Sequence, residues 1–383
     1  MTKVVICQHR LVHYRTAFFD KLRNVCTQQD IELHLVHGQA SRRESKKKDE
    51  ASLPWAHEVK NQFLQLGSRD LLIQPFPPYL RDAELIILMQ ENRILSNYPL
   101  LLSRLWSSRK VAYWGHGANF QSGSPFGLRE TWKRMLLTRV DWWFAYTEAT
   151  TKILHQAGYP RDRITCLNNA IDNEAFDRAL SQVPGHRLKA LRAEIDATEG
   201  APVGLFCGSL YPDKRLDYMI EAADRIHAAL PAFRLVVIGD GPSADLIRCA
   251  GETRPWLRWV GVRKGDEKAA WFRIAHLVVN PGVVGLHILD SFCAGTPIVT
   301  AAESQHSPEI AYLKDGVNGL VVHGGIDRYA DAVIALFNDP DRLREIRLAA
   351  LRDAQNYTLG NMVKHFSDGI TQCLAMQKKK VFR

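Results

Sequence analysis

Short apolar, β-branched stretches alternate with helix-length amphipathic segments along almost all of this 383-residue chain, and no other feature limits its fold so sharply. Strand, helix, strand in repetition implies a parallel sheet covered by helices. In the first half, residues 4–7, 32–36, 85–89, 110–114 and 142–146 read as strands, with helices over 15–26, 98–106 and 128–137. In the second half, 203–207, 234–238, 257–260, 277–280 and 297–300 read as strands, with helices over 216–229 and 326–338. The polar stretch 178–200 lacks strand character and marks a boundary between two halves. A chain of this length exceeds what one hydrophobic core organises. The expected architecture is therefore α/β, with two doubly wound, Rossmann-like domains facing each other across a cleft. Ligands bind there, at the carboxyl ends of the strands.

The net charge is +9, and much of it is clustered. Arg42, Arg43, Lys46, Lys47 and Lys48 form one run, and Lys378, Lys379 and Lys380 another. An anionic partner is implied, whether nucleic acid, lipid surface or phosphorylated substrate, although solvated loops carry such runs as well. The apolar runs fall far short of the roughly 18 residues that suggest a membrane span. The first apolar run turns polar at Gln8, shorter than the about 7–15 residues of a secretory h-region, so no signal peptide is expected. Seven cysteines lie without metal-like or redox-like spacing, which fits buried thiols in a reducing cytoplasm.

Four constellations carry chemistry. The first is Phe206-Cys-Gly-Ser-Leu-Tyr-Pro-Asp-Lys-Arg215, a strand that breaks at Gly208 and Ser209 and meets two cations before a helix. Lys214 and Arg215 are suited to a diphosphate, although the same spacing fits a loop with solvated cations. The second is Asn280-Pro-Gly-Val-Val-Gly-Leu-His-Ile-Leu-Asp290, a strand entering a glycine-bearing turn that opens a helix near Leu286. Backbone amides at such a start attract anions. Asp290 is placed to accept from two vicinal ribose hydroxyls, or else serves as a capping or surface carboxylate. The third is Gly115-His116-Gly117, which exposes an imidazole at a strand's carboxyl end and is followed by Asn119. The fourth is the His9, His13, Tyr14, Arg15 loop after the first strand, suited to reading an acceptor or simply a polar helix start. No P-loop, nucleophile elbow, zinc site or nicotinamide fingerprint is present.

Together these pieces resemble the retaining GT-B glycosyltransferases of family four, the glycosyl transferases group 1. Asn169-Ala-Ile-Asp172 with Phe176 resembles the family's Asn-Gly-Val-Asp-x-x-x-Phe stretch. Residues 206–214 resemble its Gly-Arg-Leu-x-x-x-Lys loop, and 236–241 its Gly-x-Gly turn. Trp259-Val-Gly261, continuing into Val262, is similar to the segment whose backbone reads the nucleotide base. Ser307-Pro-Glu309 and Asp315-Gly-Val-Asn-Gly319 resemble the run that closes the donor site. The resemblance implies that Lys214 contacts the donor diphosphate, that Asp290 replaces a glutamate holding the ribose, and that His116 lies beside the donor sugar. It extends the donor and nucleotide site to Gly208, Ser209, Arg215, Gly261, Val262, Gly285, Leu286, His287 and Glu309. His13, Tyr14, Arg15 and Asn119 are expected on the acceptor side.

Three departures accompany it. Ser209 stands in place of the family's arginine, Gly282 in place of its first motif glutamate, and the double-glycine loop after the first strand is absent. The domains implied are 1–180 for the acceptor, a linker at 181–200, 201–355 for the donor, and a C-terminal helix within 356–383 returning to the first domain. The implied activity is sugar transfer, with retention, from a nucleotide diphospho-sugar to a glycan or lipid-linked glycan in bacterial polysaccharide or lipopolysaccharide assembly. No metal, no other cofactor and no nucleic acid are expected. The expected location is the cytoplasm, with an anionic inner-leaflet surface as a further partner for the basic runs and for an amphipathic segment at 126–137. A sugar-nucleotide epimerase of the same fold, and a silent nucleotide-binding protein that has lost the motif glutamate at Gly282, are the alternatives.

Overall fold

The computed structural model describes residues 1–42, 44–45, 49–66, 69–117 and 137–377. The chain divides into two compact units, Met1–Ile171 with Leu359–Arg383, and Asp172–Thr358. Asn119, the basic residues Arg43, Lys46, Lys47, Lys48 and Lys378–380, and nearly all of the 126–137 segment lie outside the described residues.

The first unit contains β1 (Thr2–Arg10), β2 (Ile31–Gly38), β3 (His57–Glu58), β4 (Gln62–Leu66), β5 (Arg69–Ile73), β6 (Leu85–Met89), β7 (Lys110–Gly115), β8 (Trp142–Ala145) and β9 (Ile164–Cys166). Among the described residues, seven of these pair in the order β3-β2-β1-β6-β7-β8-β9, and β4 and β5 form a separate antiparallel hairpin. Every pairing in the seven-stranded sheet is parallel. Val4, Val5, Ile6, Ile86, Ile87 and Val111 are fully buried, the pattern of strands covered on both faces. The helix Thr16–Gln28 turns Phe18, Phe19, Leu22 and Cys26 inward. Phe18 meets Trp114 and Phe366, and Phe366 stacks on Phe144 with centroids 4.3 Å apart. Phe366 comes from the helix Leu359–Ala375, so the last described helix completes the core begun by the first strands.

The second unit contains β10 (Val203–Cys207), β11 (Arg234–Ile238), β12 (Leu257–Gly261), β13 (Leu277–Val279), β14 (Ile298–Ala301) and β15 (Leu320–Val322), in the order β12-β11-β10-β13-β14-β15 and all parallel. The strand order reverses direction beside β10, the switch point at which such sheets bind ligands. The residues expected as a linker are not extended. They hold the helix Gly185–Glu194, which packs only Leu191 inward and belongs to this unit. The chain instead passes between units at Ile171/Asp172 and at Thr358/Leu359. Among the described residues no helix is long and apolar enough to cross a membrane.

Candidate functional site

The carboxyl end of β10 is built by close backbone approach. Gly239 has φ 140°, and a Cβ there would lie 1.9 Å from the Gly208 carbonyl oxygen. Only glycine allows the loops after β10 and β11 to run side by side. The Gly208 amide donates to Ile238 O at 3.0 Å, and the Leu210 amide to Asp240 O at 2.9 Å. This register carries the chain into the 3-10 turn Pro212–Lys214. Arg215 follows in the left-handed region, φ 52° and ψ 50°, before the helix Leu216–Ala229. A non-glycine residue held there stores strain, which points to a turn fixed by its surroundings.

Those surroundings are the loop after β13. The Val283 amide donates to Asp213 O at 3.0 Å, and Lys214 Nζ donates to Val283 O at 2.5 Å. Lys214 is 4% exposed and forms no ion pair among the described residues. Its ammonium lies 5.7 Å from the Tyr211 ring centroid. Burial pulls its pKa down to about 8. Gly282 lies against the backbone of Lys214, where a Cβ would be 2.3 Å from the Lys214 carbonyl carbon. The position of the family's glutamate is thus occupied by the turn that carries the lysine. Arg215 lies over the Tyr218 ring at 4.3 Å and reaches Ser304 Oγ at 3.5 Å, while Ser209 is exposed.

Asp290 is buried, and Lys268 Nζ donates to its Oδ1 at 2.9 Å. His287 Nδ1 accepts from the Gly285 amide at 3.4 Å, and its Nε2 lies 3.0 Å from Asn280 Nδ2. Burial first, then the charges of Lys214, His306 and Lys268, hold His287 well below its ordinary pKa, so the ring is neutral. Cys207, at the end of β10, is raised to about 12, mainly by burial, and feels the charges of Lys268, Asp290 and Lys214. The two predicted donor residues, Lys214 and Asp290, are therefore gathered around one strand end.

The third side of the site follows β14. His306 Nε2 donates to Ala301 O at 3.0 Å, and its Nδ1 accepts from the Val284 amide at 3.2 Å. Ser304 Oγ donates to Pro281 O at 2.7 Å, and the Ser307 amide to Val284 O at 3.0 Å. Glu309, 4% exposed, follows in the 3-10 helix Pro308–Tyr312. Lys268, Asn280, Ser304 and His306 were not anticipated from sequence. The His306-Ser-Pro-Glu309 run carried a signal for the last of these.

Several expectations need correction. The helix opening near Leu286 is only seven residues, His287–Cys293, and its Ile288 and Leu289 amides already bond Gly285 O and Leu286 O. Those two amides are therefore used within the turn itself. Val262 is exposed, but its carbonyl accepts from its neighbour Arg263 at 3.1 Å, and Gly261 O accepts from the Gly239 amide. In the first unit, Arg15 is 6% exposed, with its guanidinium donating to Asn169 Oδ1 at 2.5 Å and Ala170 O at 3.2 Å. It is a core strut and not an acceptor contact. His13 and Tyr14 are exposed. His116 lies edge-on to Tyr146, centroids 4.3 Å apart, at the carboxyl end of β7. Asp172 caps the helix Asn173–Gln182 by accepting from the Ala175 amide at 3.1 Å, and Phe176 packs on Phe272.

Two parallel, doubly wound sheets, one with a cation turn, a buried acid and a neutral imidazole around its switch strand, define an α/β protein of two compact units. Residues 201–339 match the glycosyl transferases group 1. The D-inositol 3-phosphate glycosyltransferase of Kribbella flavida is 32% identical over 212 residues, 51% of this chain and 47% of the relative. The chain spans about half the length of most of the curated relatives it matches. HepE of Anabaena, solved in complex with UDP, gives a TM-score of 0.66 at 16% identity, covering 97% of this chain and 100% of HepE. WaaG, a glycosyltransferase involved in lipopolysaccharide biosynthesis, gives 0.61 at 13% identity, covering 96% of this chain and 99% of WaaG. At these identities the likeness shows the fold, which is GT-B.

Proposed function

We propose that this chain transfers a sugar from a nucleotide diphospho-sugar, held by the second unit, to a glycan or lipid-linked glycan acceptor. The observation that carries the reading is Lys214: a residue 4% exposed whose ammonium donates to a carbonyl and forms no ion pair among the described residues. A charge withdrawn from water without a counterion is costly, and a diphosphate would supply the missing charge. In the reaction, negative charge grows on the departing diphosphate as the anomeric carbon gains oxocarbenium character. Lys214 and Arg215 stabilise that charge, and one such preorganised donor is worth roughly 3–4 kcal/mol. Asp290 takes the ribose, His116 serves the sugar side, and His13 and Tyr14 serve the acceptor. Retention and metal independence follow the family resemblance.

HepE with UDP supports a uridine nucleotide, and WaaG supports a role in bacterial cell-surface polysaccharide assembly. Peripheral attachment to an anionic inner leaflet is supported by the net charge of +9 and by Leu102, Leu105 and Trp106, which are 55%, 47% and 73% exposed. The test of the central reading is calorimetric titration of UDP, GDP, dTDP and CMP into wild type and Lys214→Ala. One diphosphate should bind, and the substitution should weaken it by roughly 100-fold or more, the worth of one buried charge-assisted contact. Binding by none of the four would refute the donor site and favour a silent protein of this fold.

A further inference from the structure

Lys268 has no part in the motifs read from sequence, yet it is the side chain that Asp290 bonds. It stands on the helix Gly265–Ile274, with its ammonium 4.4 Å from the centroid of the Phe176 ring and 2.9 Å from Asp290 Oδ1. Its side chain is 21% exposed, and that of Asp290 8%. Asp290 Oδ2 has no protein partner among the described residues. Pairs withdrawn from water this far gain little net stability, since desolvation offsets most of the attraction. The pair is neutral as a whole, whereas Lys214 and Arg215 present two positive charges. A phosphate is served by the second arrangement. The first suits an uncharged group that both gives and takes hydrogen bonds.

We propose that Lys268 acts beside Asp290 as the direct donor to one of the two ribose hydroxyls, and so adds to the selection of ribonucleotides over deoxyribonucleotides. This rests on the reading of the second unit as the nucleotide-sugar site. A hydroxyl donates once and accepts twice. One ribose hydroxyl donates to Asp290 Oδ2, and its neighbour accepts from Lys268 Nζ, which retains hydrogens beyond the one given to Oδ1. The aspartate is one methylene shorter than the glutamate that the family resemblance places there, and the long lysine stem supplies the reach on the other hydroxyl. Burial opposes the charge on Lys268, but Asp290 outweighs it and raises the ammonium's pKa, so the donor stays charged at neutral pH. Cys207 feels both this pair and Lys214, so diol and diphosphate ends share one strand terminus.

The experiment is calorimetric titration of UDP, GDP and their 2′-deoxy and 3′-deoxy counterparts into wild type, Lys268→Met and Asp290→Asn. Wild type should bind the ribonucleotide roughly tenfold to 100-fold more tightly than either deoxy form, the worth of a hydrogen bond to a charged group. Lys268→Met should lose the preference at one hydroxyl, keep it at the other, and bind that deoxy form as wild type does. Equal weakening of ribo and deoxy forms would mean a phosphate contact or a packing role, and would overturn the proposal while leaving the donor site standing. Absence of ribo preference in wild type overturns it without any variant. Failure of every nucleotide to bind wild type overturns the donor reading itself.

Discussion

Replacing Gly282 tests the linkage between the two loops of the proposed donor site. A Cβ at this position would lie 2.3 Å from the Lys214 carbonyl carbon and 2.4 Å from its Cα and O. These are backbone atoms, so no rotamer change relieves the overlap. Restoring van der Waals separation means moving one loop by about 1 Å, and overpacking of this kind costs about 1–3 kcal/mol. For a domain of this size the melting temperature should fall by roughly 2–4 °C per kcal/mol. The same shift breaks the bonds from Val283 N to Asp213 O and from Lys214 Nζ to Val283 O. A 1 Å misplacement of a catalytic group costs about 100-fold. Gly282→Ala should therefore weaken diphosphate binding and lower kcat/KM by about that factor. Gly282→Glu, which restores the family's residue, should be worse and not better. Calorimetry on both variants, with thermal melts and turnover of a UDP-sugar, decides the matter. Wild-type binding with an unchanged melt in Gly282→Ala, or a gain of turnover in Gly282→Glu, would refute the reasoning.

Two further outcomes are expected. Burial sets Lys214 at about 8 in the free protein, so its ammonium is lost as pH rises through that value, while a bound diphosphate favours the charged form. Binding should then take up a proton and weaken by up to about tenfold per pH unit above pH 8, a slope that Lys214→Arg should flatten because guanidinium stays charged. A pH-independent affinity in wild type from pH 7 to 10 would contradict this. For the membrane reading, co-sedimentation with anionic vesicles should fall in high salt and fall again in Trp106→Ser, each nearby basic residue adding about 1 kcal/mol. Equal binding to neutral and anionic vesicles would remove it.

The strands of the second sheet were legible because a parallel sheet covered on both faces needs near-continuous apolar runs, and 203–207 and 235–238 provide them. β3, β9 and β15, at two or three residues each, carry too little pattern to be seen. The helix Gly185–Glu194 was read as a linker because it buries only Leu191, leaving no apolar stripe to count. Lys214 and Asp290 were legible because their motif neighbours are local. Their partners were not: Lys268 lies 22 residues from Asp290, and Arg15 lies 154 residues from Asn169. No spacing rule reaches such distances, and only the folded sheet brings these side chains together.

The same distances explain why the departures from the family pattern read as losses in the sequence. Gly282 taken alone is a missing glutamate, but in the fold it is the space into which the Lys214 turn settles. Asp290 taken alone is a shortened acid, but in the fold it carries an ammonium at 2.9 Å. The two changes act in one direction. A glutamate beside Lys214 would neutralise the cation that a diphosphate needs, and an unpartnered aspartate at 290 would repel it. With glycine at 282 and lysine at 268, the ammonium of Lys214 is left buried and outside any ion pair among the described residues. That arrangement has the electrostatics the proposed anion site requires, produced by different residues. Gly282 is for that reason compatible with the proposed donor site and is not evidence against it.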